Sequence, residues 1–214
     1  MEFIDSDLVH YIEDHTEPEN DLLYKINRET HTEVLKARML SGHLQGRVLS
    51  MISHMIQPEN ILEIGTYTGY SALCMAEGLK ENGRLITLDV NEELSSRVKE
   101  YFQASAFADR MEMKIGKALD IIPTLDKAWD MVFIDADKSN YLNYYKLCID
   151  QVKKGGYILV DNVLWSGKVL EKNRKKLDKD TESILAFNSF VQKDERVQNV
   201  LFPIRDGLMI LRKK

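Results

Sequence analysis

Long apolar runs are missing from this chain. None approaches the roughly 20 residues a membrane-spanning helix needs, so no membrane partner is expected. The N-terminus is acidic and carries no signal-peptide pattern. Cysteine is scarce: Cys74 and Cys148 are the only two among 214 residues. Both lie in apolar helical surroundings and read as buried free thiols in a reducing compartment, which implies a cytoplasmic protein. A positive excess is absent too. The formal net charge of −5 counts against a protein that coats nucleic acid. There is no internal repeat, low-complexity segment or linker. What is present, 44% hydrophobic and 29% charged residues, is the make-up of a soluble globular protein. The length suits one domain, 1–214, with a full-sized core.

Residues 6–56 read as mostly helical, with Leu8, Ile12, Val34, Leu35 and Met39 at helical spacing. Pro58 breaks that pattern. Strands are predicted at 60–64, 85–90, 111–115, 131–134 and 157–160. Helices are predicted at 70–80, 92–104, 117–125, 139–153 and 179–193. The helix over 139–153 is expected to end on Lys153-Lys154 with Gly155-Gly156 after it. Two further strands, 197–202 and 208–213, would turn around Pro203 and Asp206-Gly207. Strands alternating with helices predict a Rossmann-like, doubly wound α/β fold. Its sheet would be mostly parallel, covered by helices on both faces, with an antiparallel C-terminal pair at one edge. In such sheets ligands bind beyond the carboxyl ends of the strands.

The most informative stretch is Leu62 to Ser71. An apolar strand stops at Gly65, Gly69 follows four residues on, and a helical pattern starts at Tyr70-Ser71. A glycine-bearing turn between strand and helix lets bare backbone and helix N–H groups approach a ligand. Glu63 sits inside the apolar strand, where a carboxylate is costly unless paired. A nucleoside cofactor with a cationic or hydroxyl-rich part would pair it. An ordinary turn with a salt-bridged Glu63 would use the same residues.

Other strands also end in polar chemistry. Asp89 closes the second strand, 24 residues after Gly65. It is the expected ribose clamp, because its two oxygens can accept from both ribose hydroxyls. The fourth strand ends at Asp135-Ala136-Asp137-Lys138 and the fifth at Asp161-Asn162. If these strands are parallel neighbours, Asp135, Asp161 and Asn162 offer three oxygen donors in one crevice. Two carboxylates together repel unless a cation or a proton sits between them, and an all-oxygen set suits Mg²⁺, Ca²⁺ or Mn²⁺ rather than zinc. Two unrelated helix-capping Asp residues are the plainer alternative. Lys138, next to such a cation, would be disfavoured in its charged form and could act as a general base. Otherwise it is a surface lysine paired with Asp137.

Leu62–Ser71, Phe133–Lys138 and Val160–Gly167 together resemble the metal-dependent S-adenosylmethionine O-methyltransferases of the catechol and caffeoyl-CoA type. Small bacterial members are the most similar. The likeness runs in order and spacing from about Met39 to the C-terminus. It implies that Glu63, Gly65, Tyr67 and Ser71 contact the methionine side of S-adenosylmethionine, with Met39 also lining the cofactor. Asp89 would hold the ribose, Gly116 and Ala118 would border the adenine, and Asp135 and Asp137 would lie near the cofactor, Asp137 by its amino group. Asp135, Asp161 and Asn162 would bind the divalent cation, Mg²⁺ first among candidates. Lys138 would be the base. Ser41, Lys138, Asn162, Trp165 and Arg205 would face the acceptor; plant members often carry Thr where this chain has Ser41. The resemblance also implies a homodimer, with residues 1–56 as its lid and dimer segment.

A catechol-like small molecule is the leading acceptor, because such a metal site selects vicinal oxygens. The basic run Lys168, Lys172, Arg174, Lys175, Lys176 and Lys179 keeps two others open: the phosphates of an acyl-CoA, or a tRNA bearing a hydroxylated uridine. It would equally serve as a solvated loop and helix start. A dehydrogenase is a poorer fit, because Gly65-x-x-x-Gly69 departs from G-x-G-x-x-G and leaves Asp161-Asn162 without a role. A non-catalytic binding module would leave Lys138 unexplained.

Overall fold

The structure, a computed structural model, describes residues 5–173 and 176–214. The chain forms two compact units that meet in sequence at Lys117 and Ala118.

The first unit holds helices α1 (Ser6–Asp14), α2 (Asp21–Glu33), α3 (Gly42–Ile56), α4 (Tyr70–Ala76) and α5 (Ser95–Gln103), and strands β1 (Asn60–Ile64), β2 (Arg84–Asp89) and β3 (Met111–Ile115). The strands run parallel in the order β3-β2-β1. Asp5 and Asn20 start α1 and α2 by accepting N–H groups of Asp7 and Leu23, as N-cap side chains do. All seven residues of α4 are buried, so this helix presents no side to solvent. It ends at Ala76 rather than at residue 80. Gly78 lies two residues on, and there a Cβ would stand 2.2 Å from the Ser53 carbonyl carbon and 2.4 Å from His54 N. Backbone cannot yield as a flexible side chain would. Gly78→Ala is therefore expected to cost about 3 kcal/mol, read as a lowered urea midpoint with an unchanged slope.

The second unit holds α6 (Ala118–Ile121), α7 (Tyr141–Gln151) and α8 (Lys179–Lys193), with strands β4 (Trp129–Ile134), β5 (Val152–Val160), β6 (Val197–Phe202) and β7 (Leu208–Lys213). Their order is β4-β5-β7-β6. β4 and β5 are parallel, and β7 pairs antiparallel with both β5 and β6. The antiparallel tail pair is thus as the sequence predicts.

The predicted end of the helix before β5 is not observed. Lys153 to Gly156 belong to β5, whose register against β4 shifts between Trp129 and Met131. Gly155 takes φ 81° there, the left-handed geometry a bulge uses. The Lys153 ammonium meets the Asp130 carboxylate at 2.8 Å. The end of α7 is closed from β7 instead: Lys213 Nζ donates to the carbonyls of Ile149 and Val152 at 2.7 and 2.8 Å. A cation there satisfies carbonyls that the helix leaves open.

The strand ends converge on register. Ile134 pairs with Val160, so Asp135 and Asp161 follow side by side, and Asp161 N donates to Ile134 O at 3.0 Å. No helix among the described residues is long and apolar enough to cross a membrane.

Candidate active site

In the first unit the turn after β1 is built on left-handed residues: Gly65 at φ 104°, Tyr67 at 49° and Gly69 at 79°. A Cβ on Gly69 would also stand 2.9 Å from Phe102 Cε1, so this position admits only glycine comfortably. A tyrosine at positive φ costs conformational energy and persists where surrounding bonds fix it. Asp89 supplies them. Its Oδ2 accepts from Thr66 N at 3.0 Å and Tyr67 N at 2.8 Å, and Oδ1 accepts from Asn91 N at 2.9 Å. The predicted ribose clamp is therefore also the bracket that shapes the glycine turn. A carboxylate offers about four lone-pair positions, which leaves capacity for a hydroxyl donor.

Glu63 is completely buried. It accepts from Ser71 Oγ and from Thr87 Oγ1, each at 2.5 Å, and Thr87 in turn meets Thr66 Oγ1 at 2.6 Å. The parallel register that pairs Glu63 with Thr87 makes this contact. Buried hydroxyls thus offset the burial of the carboxylate, and Thr66 and Thr87 join a network that the alternation of apolar residues does not reveal. The same turn is strapped by the N-terminal segment: Thr30 Oγ1 meets Thr68 Oγ1 at 3.3 Å, and Tyr67 Oη donates to Leu35 O at 3.0 Å. Ser41 is buried, whereas Met39 is exposed. Gly116 follows β3 and donates its N–H to Asp89 O at 2.8 Å.

In the second unit Lys138 is the centre. The residue is 9% exposed. Its Nζ lies 3.0 Å from Asp135 Oδ1, 2.8 Å from Asn162 Oδ1 and 2.5 Å from Tyr141 Oη. Oxygens carried by the ends of β4 and β5 therefore converge on one positive charge. Tyr141 Oη also donates to Asp161 O at 3.0 Å. Burial, followed by the charges of Asp135 and Asp161, pushes the Tyr141 phenol well above its ordinary pKa, so it stays a neutral donor. Tyr141 was not singled out from the sequence. The only signal was its place three residues after Lys138, on the same side of a helix start. Asp161 is buried, and its Oδ1 accepts from Asn162 N at 2.8 Å. Asn162 adopts φ 59°.

Asp137 is not part of this cluster. It accepts from Tyr144 Oη, from Asn140 Nδ2 at 2.6 Å and from Ser139 Oγ at 3.1 Å. The Trp165 ring lies 5.8 Å from Lys138 Nζ and 5.7 Å from Lys168 Nζ, within cation–π range. Arg205 is exposed and left-handed at φ 48°. Ala118 is buried at the start of α6. Of the basic run, Lys168 pairs with Asp178 at 3.1 Å, while Arg174 and Lys175 lie outside the described residues. Among the described residues no three His, Cys, Asp or Glu side chains form a metal cluster. The candidate ligands are two carboxylates and one amide oxygen, an all-oxygen set that fits a hard divalent cation.

A sequence profile of the O-methyltransferase family matches residues 13–214. Caffeoyl-CoA O-methyltransferase 1 of Eucalyptus globulus is 34% identical over 178 residues, covering 79% of this chain and 72% of the relative. An O-methyltransferase from Bacillus cereus, solved with S-adenosylhomocysteine, superposes with a TM-score of 0.88 at 26% identity over 97% of each chain. The methyltransferase PaMTH1 of Podospora anserina, also solved with S-adenosylhomocysteine, gives a TM-score of 0.90 at 27% identity, covering 100% of this chain and 98% of that one. The chain belongs to the O-methyltransferase family. Within it, the caffeoyl-CoA O-methyltransferase type is the kind it resembles, and its activity class is S-adenosylmethionine-dependent O-methyl transfer.

The bracket formed by Asp89 has a measurable result. Asp89→Ala removes three charge-assisted bonds to backbone N–H groups. It should weaken S-adenosylhomocysteine binding by about 2 kcal/mol, a loss of tens-fold, and lower the melting temperature of the ligand-free protein as well. Calorimetric titration and a thermal scan check the two effects. Unchanged ligand-free stability would leave Asp89 with the ribose role alone.

Proposed function

We propose that this protein transfers a methyl group to one of two vicinal hydroxyls of a catechol-like small molecule, with help from a divalent cation. The observation that carries the reading is the convergence of Asp135 Oδ1 and Asn162 Oδ1 on Lys138 Nζ at 3.0 and 2.8 Å, in a chain of this family. Asp135, Asp161 and Asn162 would hold the cation, most simply Mg²⁺. Glu63, Gly65, Tyr67, Ser71, Asp89 and Gly116, with Met39, Ala118, Asp135 and Asp137, would bind S-adenosylmethionine. When bound, the cation would acidify the acceptor hydroxyl and the cofactor would supply the methyl group.

The chain's own part is positioning and proton transfer. Lys138 accepts the hydroxyl proton at Nζ. Tyr141 holds that nitrogen and the Asp161 carbonyl together. Trp165, Ser41 and Arg205 face the acceptor. Residues 1–56 act as lid and dimer segment, a reading supported by the bonds of Thr30 and Leu35 to the glycine turn and by the exposed Met51 and Met55 of α3. A cytoplasmic homodimer completes the proposal.

The test is methyl transfer to catechol, caffeoyl-CoA and hydroxyuridine-containing tRNA side by side, with Mg²⁺ or with EDTA. Transfer to catechol that EDTA abolishes is expected. Transfer indifferent to EDTA would remove the cation, and transfer to tRNA alone would remove the small-molecule acceptor.

A further inference from the structure

Two turns in the second unit are fastened to each other. One follows β5 and carries Trp165; the other joins β6 to β7. Val163 N donates to Gly207 O at 3.1 Å and Leu164 N to Asp206 O at 2.9 Å. Ser166 N donates to the Asp206 carboxylate at 2.5 Å. The packing is close: a Cβ on Gly207 would stand 2.5 Å from Leu164 Cγ.

The clasped turn is also strained. Trp165 and Ser166 take φ 48° and 51°. Consecutive non-glycine residues in the left-handed region persist only where the surroundings over-determine them. Asp206 is the group that does so, because it meets the turn twice, through its carbonyl and through its side chain. The Trp165 indole, held in this way, lies over Lys138, and its buried Nε1 has no hydrogen-bond partner among the described residues. A buried N–H without a partner is costly, and an oxygen-bearing acceptor would supply one.

We propose that Asp206 is a positioning residue for the acceptor side of the reaction. Its carboxylate and carbonyl clamp the Leu164–Gly167 turn and so fix the Trp165 indole beside Lys138. The proposal rests on the reading above that places Lys138 and Trp165 at the acceptor.

The test uses the two tryptophans of the chain. Trp129 is 1% exposed and serves as the silent background, measured alone in Trp165→Phe. In Asp206→Ala, iodide quenching of Trp165 should rise toward that of an exposed indole. The KM for catechol should rise about tenfold, the size of one hydrogen bond, while the KM for S-adenosylmethionine stays put. Asp206→Asn keeps an oxygen that accepts from Ser166 N, so it should restore both readings to near wild type.

Unchanged quenching and KM in Asp206→Ala overturn the proposal. So does an Asp206→Asn variant as impaired as the alanine variant, because charge and not the clamp would then be at work. Should the alanine variant fail to fold, Asp206→Ser, whose hydroxyl is too short to reach, is read by the same two measurements. Absence of wild-type transfer to catechol would sink the acceptor reading alone; quenching then decides the clamp by itself.

Discussion

Replacing Lys138 by alanine is expected to lower turnover by about 10²–10⁴-fold, the usual worth of a placed general acid–base group. S-adenosylhomocysteine affinity should hold, since the bonds of Lys138 go to Asp135, Tyr141 and Asn162. The variant should also reveal what the ammonium does at rest. It is the cation between Asp135 and Asn162, and its removal leaves a part-buried carboxylate uncompensated, a costly state. Added Mg²⁺ should therefore raise the melting temperature of Lys138→Ala more than that of the wild type. Unchanged turnover would remove Lys138 as the base. An Mg²⁺ response no larger than wild type would mean that the ammonium and the cation do not share these oxygens.

The second large effect is expected at Asp161. Its carboxylate is buried at the end of β5 and accepts from Asn162 N. Asp161→Ala should reduce cation-dependent transfer by about 10²–10³-fold, the scale for losing one preorganised electrostatic partner. It should leave cofactor binding nearly intact. Isothermal titration with Mg²⁺ and with S-adenosylhomocysteine separates the two. A matching loss of cofactor affinity would place Asp161 in the wrong role.

Much of this architecture was legible in the chain. β1, β3, α8, β6 and β7 begin and end where the apolar patterns do, because each is bounded by local signals: Pro58, Gly65, Gly116, the Asp178 cap and Asp206-Gly207. The acidic residues at the strand ends were legible for the same reason.

What escaped was nonlocal. Lys153-Lys154-Gly155-Gly156 carries every mark of a helix end, yet it is a bulged strand, because Asp130 on β4 meets Lys153. The actual helix end is closed by Lys213, more than sixty positions away. Thr87 gave no local signal, because it reaches Glu63 only through the β1–β2 register. Tyr141 became a site residue only when β5 brought Asp161 O to its hydroxyl.

The Asp89 bracket carries a thermodynamic consequence. A glycine-rich turn ordinarily loses much chain entropy when a ligand fixes it. Here Thr66 N and Tyr67 N are already tied to Asp89, so the turn arrives at the ligand ordered. Donor binding then loses little free energy to loop freezing, and its affinity tracks the contacts made. Exchange of spent for fresh donor then needs no refolding of the turn between cycles.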